Sequence, residues 1–141
     1  MSSRRYLLVT PCRDEARYAR RTLDSVTRQS EPPARWIIVD DGSSDETPAI
    51  LAEYAARHPY IQVIRRADRG ERKLGGGGID AFYTGYAGAD PDGFDYLCKL
   101  DLDLDLPPPY FQGLMDRMEA SPRLGACSGE PSFFPPGAPA G

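Results

Sequence analysis

The sequence predicts an α/β fold of three layers (α/β/α), with helices on both sides of a mainly parallel sheet. Short apolar runs typical of buried strands alternate along the chain with segments of helical periodicity. A cluster of charged residues follows each apolar run directly. Strands that alternate with helices form βαβ units, and such units give a parallel sheet. The length of 141 residues suits one domain.

The first unit is a strand followed by a helix. Tyr6–Thr10 (YLLVT) predicts a buried strand that ends at Pro11. Asp14 is expected to cap the next helix, with Glu15 in its first turn, where the helix dipole favours acids. Apolar residues at helical spacing carry this helix to about Gln29: Ala19, Leu23 and Val26.

The second unit repeats this order. Trp36–Val39 (WIIV) predicts a buried strand, with Trp36 in the core. Ser43 and Glu46 have the spacing of a capping box for the helix that follows, although Pro48 would favour a later start. This helix is expected to end near His58.

The rest of the chain supplies further strands and helices. A third strand is predicted at Ile61–Ile64 and a fourth at Phe94–Leu100, with a possible fifth at Leu124–Ser128. Helices are predicted at about Ile79–Ala89 and, after Pro107–Pro109, around Phe111, Leu114, Met115 and Met118.

Composition excludes several classes of function. A formal net charge of −4 and a pI of about 5.0 make a general binder of nucleic acid or anionic membrane a poor interpretation. Three cysteines cannot all pair and form no metal-binding spacing, so reduced thiols and a cytoplasmic location are expected. No apolar stretch could span a membrane, although the full-length protein could still lie at the inner face of one.

The charged clusters are expected to meet. The strands are followed in turn by PCRDE, DDGSSDE, RRADRGERK and DLDLD. Because ligands of open parallel sheets bind outside the carboxyl ends of the strands, the four clusters predict one site. Carboxylates beside a basic, glycine-rich loop suit Mg²⁺ or Mn²⁺ together with a phosphate. Two alternatives to a binding site remain. Asp40–Gly42 could form only a turn with a helix cap, and Asp101–Asp105 could be a solvent-exposed edge strand.

The motifs of this edge resemble the inverting glycosyltransferases of family 2, whose Rossmann-like fold is called GT-A. The resemblance rests on VDDGSSDET (residues 39–47), on the DxD of Asp101 and Asp103, and on PCRDE (residues 11–15). The last of these stands where that family shows Pro-x-x-Asn-Glu, so Asp14 replaces an asparagine. The resemblance implies an α/β donor domain that binds a nucleotide-diphosphate sugar, in the first instance a UDP-sugar, with a divalent cation.

The same resemblance implies roles for individual residues. Asp41, or its neighbour Asp40, would contact the nucleotide base, in a pocket lined by Thr10 and Pro11. Asp101 would lie near the ribose and the sugar, and Asp103 would bind the metal, with Asp101 as its partner. The full nucleotide-sugar-binding set is Thr10, Pro11, Glu15, Asp40, Asp41, Arg72, Asp101 and Asp103, with Arg72 preferred over Arg69 and Lys73 for the diphosphate. Asp105 has no counterpart in the motifs of that family.

The resemblance also implies a general base for the acceptor hydroxyl, an aspartate or glutamate in the half that follows the DxD domain. Glu130 is the only acid after Glu119, and it comes too soon after the DxD to fill that role, so the base is expected to be missing from this chain. The expectation is a donor-binding domain over residues 1–130, followed by a Pro/Gly-rich, disordered or truncated end over 131–141. Such a chain would bind nucleotide without efficient transfer. One alternative is a non-catalytic nucleotide-sugar-binding fragment. A sugar nucleotidyltransferase is a second alternative, but that class has a glycine-rich loop after the first strand. A phosphatase is a third, but its DxD would end the first strand, near the N-terminus.

Overall fold

A computed structural model of the chain describes residues 4–66 and 93–120. Within these residues four strands alternate with three helices in the predicted order. The elements are β1 (Tyr6–Cys12), α1 (Ala16–Thr27), β2 (Arg35–Asp41), α2 (Thr47–Arg57), β3 (Ile61–Arg66), β4 (Tyr96–Lys99) and α3 (Tyr110–Ala120).

The four strands form one sheet in the order β3-β2-β1-β4, and all three pairings are parallel. In the register of β1 and β2, Cys12 lies opposite Asp40. In the register of β2 and β3, Asp40 lies opposite Arg65 and Asp41 opposite Arg66. The carboxyl ends of the strands therefore share one edge, which confirms the predicted α/β class.

One face of the sheet packs against all three described helices. Its core contains Tyr6, Leu8, Trp36 and Ile38 from the strands. The helices contribute Ala19, Leu23, Val26, Ile50, Leu51, Tyr54, Phe111 and Met115. Trp36 is fully buried, as predicted. Full burial of a large apolar side chain stabilises the folded state by about 1.5–3 kcal/mol.

The opposite face of the sheet is buried as well. Leu7, Val9, Ile37 and Val39 have no exposed surface, and Ile64 and Phe94 pack against them. Because successive strand residues point to opposite faces, burial of both sets explains why the strands read as continuous apolar runs. Both faces of the sheet are covered, as a three-layer fold requires.

Both predicted helix caps are wrong. Helix α1 begins at Ala16 after Glu15 at the cap position, and α2 begins at Thr47 after Glu46, and neither cap residue makes a side-chain capping bond. The side chains of Asp14 and Ser43 bond instead to the loop that follows the neighbouring strand. Contacts between distant segments have replaced the local caps, and α2 starts at Thr47, one residue before the start that Pro48 favours.

Strand β4 ends at Lys99, although the N–H of Leu100 still donates to the carbonyl of Val9, at 3.1 Å. The aspartates after it lie in a turn, and α3 begins after the three prolines, as expected. The predictions for Arg69, Arg72, Lys73, Gly75–Gly78, the helix at 79–89, the strand at 124–128 and the segment 131–141 lie outside the described residues. Within the described residues, no helix has the length and apolar character to cross a bilayer.

Candidate functional site

The carboxyl edge of the sheet brings three of the predicted clusters together. Strand β1 lies between β2 and β4, so PCRDE lies between the two aspartates that end β2 and the aspartates that follow β4. Within β1, Pro11 pairs with Val39 and is partly exposed. The edge therefore has Asp40 and Asp41 on one side of β1, and Asp101 and Asp103 on the other.

Asp40 is a buried carboxylate at this edge. Its residue has no exposed surface, and its Oδ1 accepts a hydrogen bond from the N–H of Ser43 at 3.1 Å. Its Oδ2 has no hydrogen-bond partner in the described part of the chain, and the nearest cation is Arg65, whose Nε is 3.9 Å away. Gly42, at φ 77°, makes the turn after Asp41, in the left-handed region that favours glycine. A buried acceptor without a partner can take a donor from a ligand.

Asp41 forms an ion pair with the last residue of β3. The Nε of Arg66 lies 3.3 Å from Oδ1 of Asp41, and both side chains are mostly buried. The Nη1 of Arg66 is buried and has no hydrogen-bond partner within residues 4–66 and 93–120. Sequence reasoning favoured Arg72 in this basic segment and gave no role to Arg65 or Arg66. The sequence shows two aspartates after one apolar run and two arginines after the next, but their pairing follows only from the register of β2 and β3.

Thr10 and Glu15 are held by hydrogen bonds that connect β1 to β2 and α2. The Nε1 of Trp36 donates to Oγ1 of Thr10 at 2.8 Å, and both side chains are buried. The N–H of Glu15 donates to Oγ1 of Thr47 at 3.0 Å. The contacts of Thr10, Pro11 and Glu15 with a nucleotide stay predictions.

Cys12 lies opposite Asp40 and is buried. Burial, and after it the carboxylate of Asp40, raises the pKa of this thiol well above its usual range. A thiol that stays protonated is a poor nucleophile, so Cys12 serves as a small core residue, as the sequence predicted. Cys12 forms no disulfide among the described residues.

The aspartates after β4 alternate with buried leucines. Leu100 and Leu102 are buried, while Asp101 and Asp103 are exposed. The Nζ of Lys99 lies 3.2 Å from Oδ1 of Asp101. The turn therefore presents two carboxylates to solvent and holds itself to the core by the leucines between them.

Asp105 differs from the other two aspartates. Its Oδ2 lies 4.0 Å from the Nε of Arg21 on α1, and its side chain is less exposed than that of Asp101. This contact gives Asp105 a partner in the fold that the sequence did not reveal.

Asp101 and Asp103 fit a hard cation whose remaining ligands come from a substrate. Within the described residues, no three His, Cys, Asp or Glu side chains are grouped to hold a metal ion by themselves. Magnesium sites use one or two carboxylates and complete their shell with water and substrate phosphates. Two exposed carboxylates meet that requirement.

An open parallel sheet with acids and arginines at its carboxyl edge defines an α/β domain of the ligand-binding, Rossmann-like class. The chain belongs to glycosyl transferase family 2, whose sequence profile matches residues 7–137. The resemblance drawn from DDGSSDET and DxD is therefore confirmed at the level of the family.

Curated relatives are synthases of a polysaccharide. The chain is 30% identical over 122 residues to a poly-beta-1,6-N-acetyl-D-glucosamine synthase of Staphylococcus epidermidis, a match over 85% of this chain and 27% of the relative. It is 28% identical, over the same shares, to the enzyme of that name from Staphylococcus aureus strain COL. The chain thus spans about a quarter of the length of these relatives.

Solved structures share the fold. S. aureus TarS 1-349 matches with a TM-score of 0.68 at 17% identity, over 82% of this chain and 32% of TarS. A mannosyltransferase of Pyrobaculum calidifontis in complex with GDP-Man and Mn²⁺ matches with a TM-score of 0.66 at 20% identity, over 81% and 32%. Glucosyl-3-phosphoglycerate synthase of Mycobacterium tuberculosis, with Mn²⁺ and UDP, matches with a TM-score of 0.60 at 21% identity, over 84% and 40%. These likenesses confirm the GT-A fold.

Proposed function

We propose that the chain is the donor-binding domain of an inverting glycosyltransferase and that it binds a nucleotide-diphosphate sugar together with Mg²⁺ or Mn²⁺. One observation carries the proposal: the fold places Asp40 and Asp41 beside β1 on one side, and two exposed carboxylates, Asp101 and Asp103, on the other. A UDP-sugar is the first candidate, since TarS has been crystallised with UDP-GlcNAc and the mycobacterial synthase with UDP.

The assignment of residues follows the two sides of this edge. Asp40 or Asp41 contacts the base, and Thr10, Pro11 and Glu15 border the base and ribose. The Oδ2 of Asp40, which accepts no hydrogen bond from the described residues, supports a contact with a base N–H, while the Asp41–Arg66 pair offers both an acceptor and a donor. Arg72 is proposed for the diphosphate.

The other side of the edge serves the diphosphate and the sugar. Asp103 is the proposed metal ligand, with Asp101 beside it at the ribose and sugar. A divalent cation held there supplies Lewis-acid stabilisation of the departing nucleoside diphosphate. The residues of the chain itself hold the donor so that an acceptor hydroxyl can attack the anomeric carbon from the opposite face, which inverts it.

Binding of UDP tests this proposal. We expect calorimetric titration with UDP to show affinity that increases when Mn²⁺ replaces EDTA. Asp103→Asn should reduce UDP affinity in Mn²⁺ by about tenfold or more, equivalent to about 1.4 kcal/mol, and should remove most of the difference between the two buffers. The reason is that an amide is a weaker ligand than a carboxylate for a hard cation.

Asp116→Asn is the control for Asp103→Asn, because Asp116 is exposed as Asp103 is, but lies on α3 and bonds to Arg4, which precedes β1 and is far from the carboxyl edge. It should bind UDP as the wild type does. A wild-type chain that does not bind UDP in Mn²⁺, or an Asp103→Asn variant that binds equally well, would reject the proposal.

A cytoplasmic location, with the inner face of a membrane for the full-length protein, remains part of this proposal. Its support is that the thiol of Cys12 is free.

A further inference from the structure

The loops that follow β1 and β2 are joined by hydrogen bonds that run in both directions. From the first loop to the second, the N–H groups of Asp14 and Ala16 donate to Oγ of Ser43 at 2.8 Å and to Oδ2 of Asp45 at 3.2 Å. In the reverse direction, the N–H groups of Ser44 and Asp45 donate to Oδ1 of Asp14, at 2.7 and 3.3 Å. With the bond from Glu15 to Thr47, these contacts form what we call the loop lock.

Asp14 lies at the centre of the loop lock in an unusual backbone conformation. Its φ is 52°, in the left-handed region that glycine, asparagine and aspartate adopt more readily than other residues. Both backbone donors of the second loop reach a single oxygen of its side chain, Oδ1. The other oxygen, Oδ2, lies 4.0 Å from the Nε of Arg13. The lock therefore needs one acceptor oxygen at position 14 rather than a negative charge.

The loop lock continues to the buried carboxylate at the edge. Ser43 accepts the bond from Asp14 through its hydroxyl, and its own N–H donates to Oδ1 of Asp40. The backbone N–H of Asp14 thus fixes Ser43, while its side chain holds the backbone of Ser44 next to it. Ser43 in turn fixes Asp40, whose Oδ2 has no hydrogen-bond partner among the described residues. Asp101 and Asp103 take no part in these contacts.

We propose that Asp14 is a positioning residue that holds the nucleotide side of the edge in its binding shape before a metal ion or a diphosphate arrives. The inference rests on the proposed function. It divides the edge into a preformed side, made by the loops after β1 and β2, and a metal-dependent side, made by the turn after β4. Preformed sites bind more tightly because less ordering is needed on binding.

Two variants separate the acceptor oxygen from the backbone conformation. Asp14→Gly keeps the left-handed conformation accessible and removes the acceptor. Asp14→Asn keeps both. We expect Asp14→Gly to weaken UDP binding by about fivefold, both in EDTA and in Mn²⁺, so that the ratio of the two affinities stays the same, and Asp14→Asn to bind like the wild type.

Tyr54→Phe is the control for a general loss of packing. It removes another hydrogen bond between α1 and α2, from the hydroxyl of Tyr54 to Oδ1 of Asp24 at 2.6 Å, without touching the loop lock. Its thermal midpoint is expected to fall while its UDP affinity stays that of the wild type. Circular dichroism and the fitted stoichiometry check that each variant is folded and competent.

The outcomes are distinguishable. A wild-type chain that fails to bind UDP in Mn²⁺ rejects the proposed function itself. If the wild type binds, three results overturn the positioning role alone: Asp14→Gly binds like the wild type, Asp14→Asn is as weak as Asp14→Gly, or Tyr54→Phe loses as much affinity as Asp14→Gly. A wild type that binds UDP in Mn²⁺ and not measurably in EDTA overturns it too, since the nucleotide side would then depend on the metal.

Discussion

At the scale of single residues, Leu102 determines what its two aspartate neighbours can do. Its side chain is 1% exposed and packs in the core beneath the edge, whereas Leu104, two residues later, is 36% exposed. A buried leucine between two aspartates fixes the direction of both carboxylates. The DxD motif therefore combines one buried position with two that present carboxylates to solvent.

Replacing Leu102 and Leu104 by alanine should distinguish the buried position from the partly exposed one. We expect Leu102→Ala to reduce the free energy of unfolding by about 2–5 kcal/mol, because it leaves a cavity in the core. Leu104→Ala, the same change at a partly exposed position, should cost much less. Urea denaturation followed by circular dichroism measures both, and similar losses for the two variants would contradict the assigned burial.

At the scale of elements, the start of α1 is capped from outside its own sequence. Asp45, which precedes α2, accepts from the N–H of Ala16 and from the N–H of Thr47. Partial desolvation opposes the ionisation of Asp45, but hydrogen bonds from Thr47 and Ala16 outweigh it and hold the pKa of this carboxyl below its usual range. One ionised side chain thus serves the first turns of two helices.

The stability of the chain should depend on pH through Asp45. Because its folded-state pKa is lower than its unfolded-state pKa, its contribution is complete above the ordinary value of 3.8 and is lost as the pH falls through the folded-state value. In Asp45→Asn, which cannot ionise, this contribution is absent. We expect the difference in unfolding free energy between wild type and variant to be constant near neutral pH and to shrink below about pH 4. A difference that grows on acidification would contradict this account.

The same elements show what sequence patterns can and cannot predict. The strands were predicted well, because burial on both faces leaves continuous apolar runs such as those around Trp36 and Leu8. The helix caps were predicted wrongly, because the hydrogen-bond partners of Asp14 and Ser43 are distant in sequence. Capping rules consider only residues that are close to each other along the chain. The pairing of Asp41 with Arg66 was missed for a related reason: it depends on strand register, which no local pattern specifies.

At the scale of the whole molecule, the two acids of α3 that bond to Arg4 lie away from the proposed site. Asp116 and Glu119 on α3 bond to Arg4, at 2.7 and 3.1 Å. Arg4 precedes β1, at the opposite edge of the sheet from the carboxyl ends. Neither acid is placed to take a proton from an acceptor bound beside Asp101 and Asp103.

Residues 1–141 should therefore bind a donor without turning it over. We expect the chain, incubated with UDP-GlcNAc, Mn²⁺ and an N-acetylglucosamine oligomer, to release no UDP above the rate without protein, because neither described acid of α3 is placed to act as a general base. A coupled assay for UDP measures this, with UDP titration on the same sample as the control for binding. Sustained release of UDP would show that the chain carries its own base.

The strand order has a consequence for how the edge is assembled. Strand β1 pairs with β2, the next strand along the chain, and with β4, which is far later in the sequence. Pairings between distant segments require the closure of long loops and form more slowly than local ones. The β1–β2–β3 part of the sheet, with Asp40 and Asp41 at its end, is complete within the first 66 residues. We therefore expect the DxD turn to take its place in folding after that part of the sheet has formed, so that the carboxylates proposed to hold the metal are ordered late.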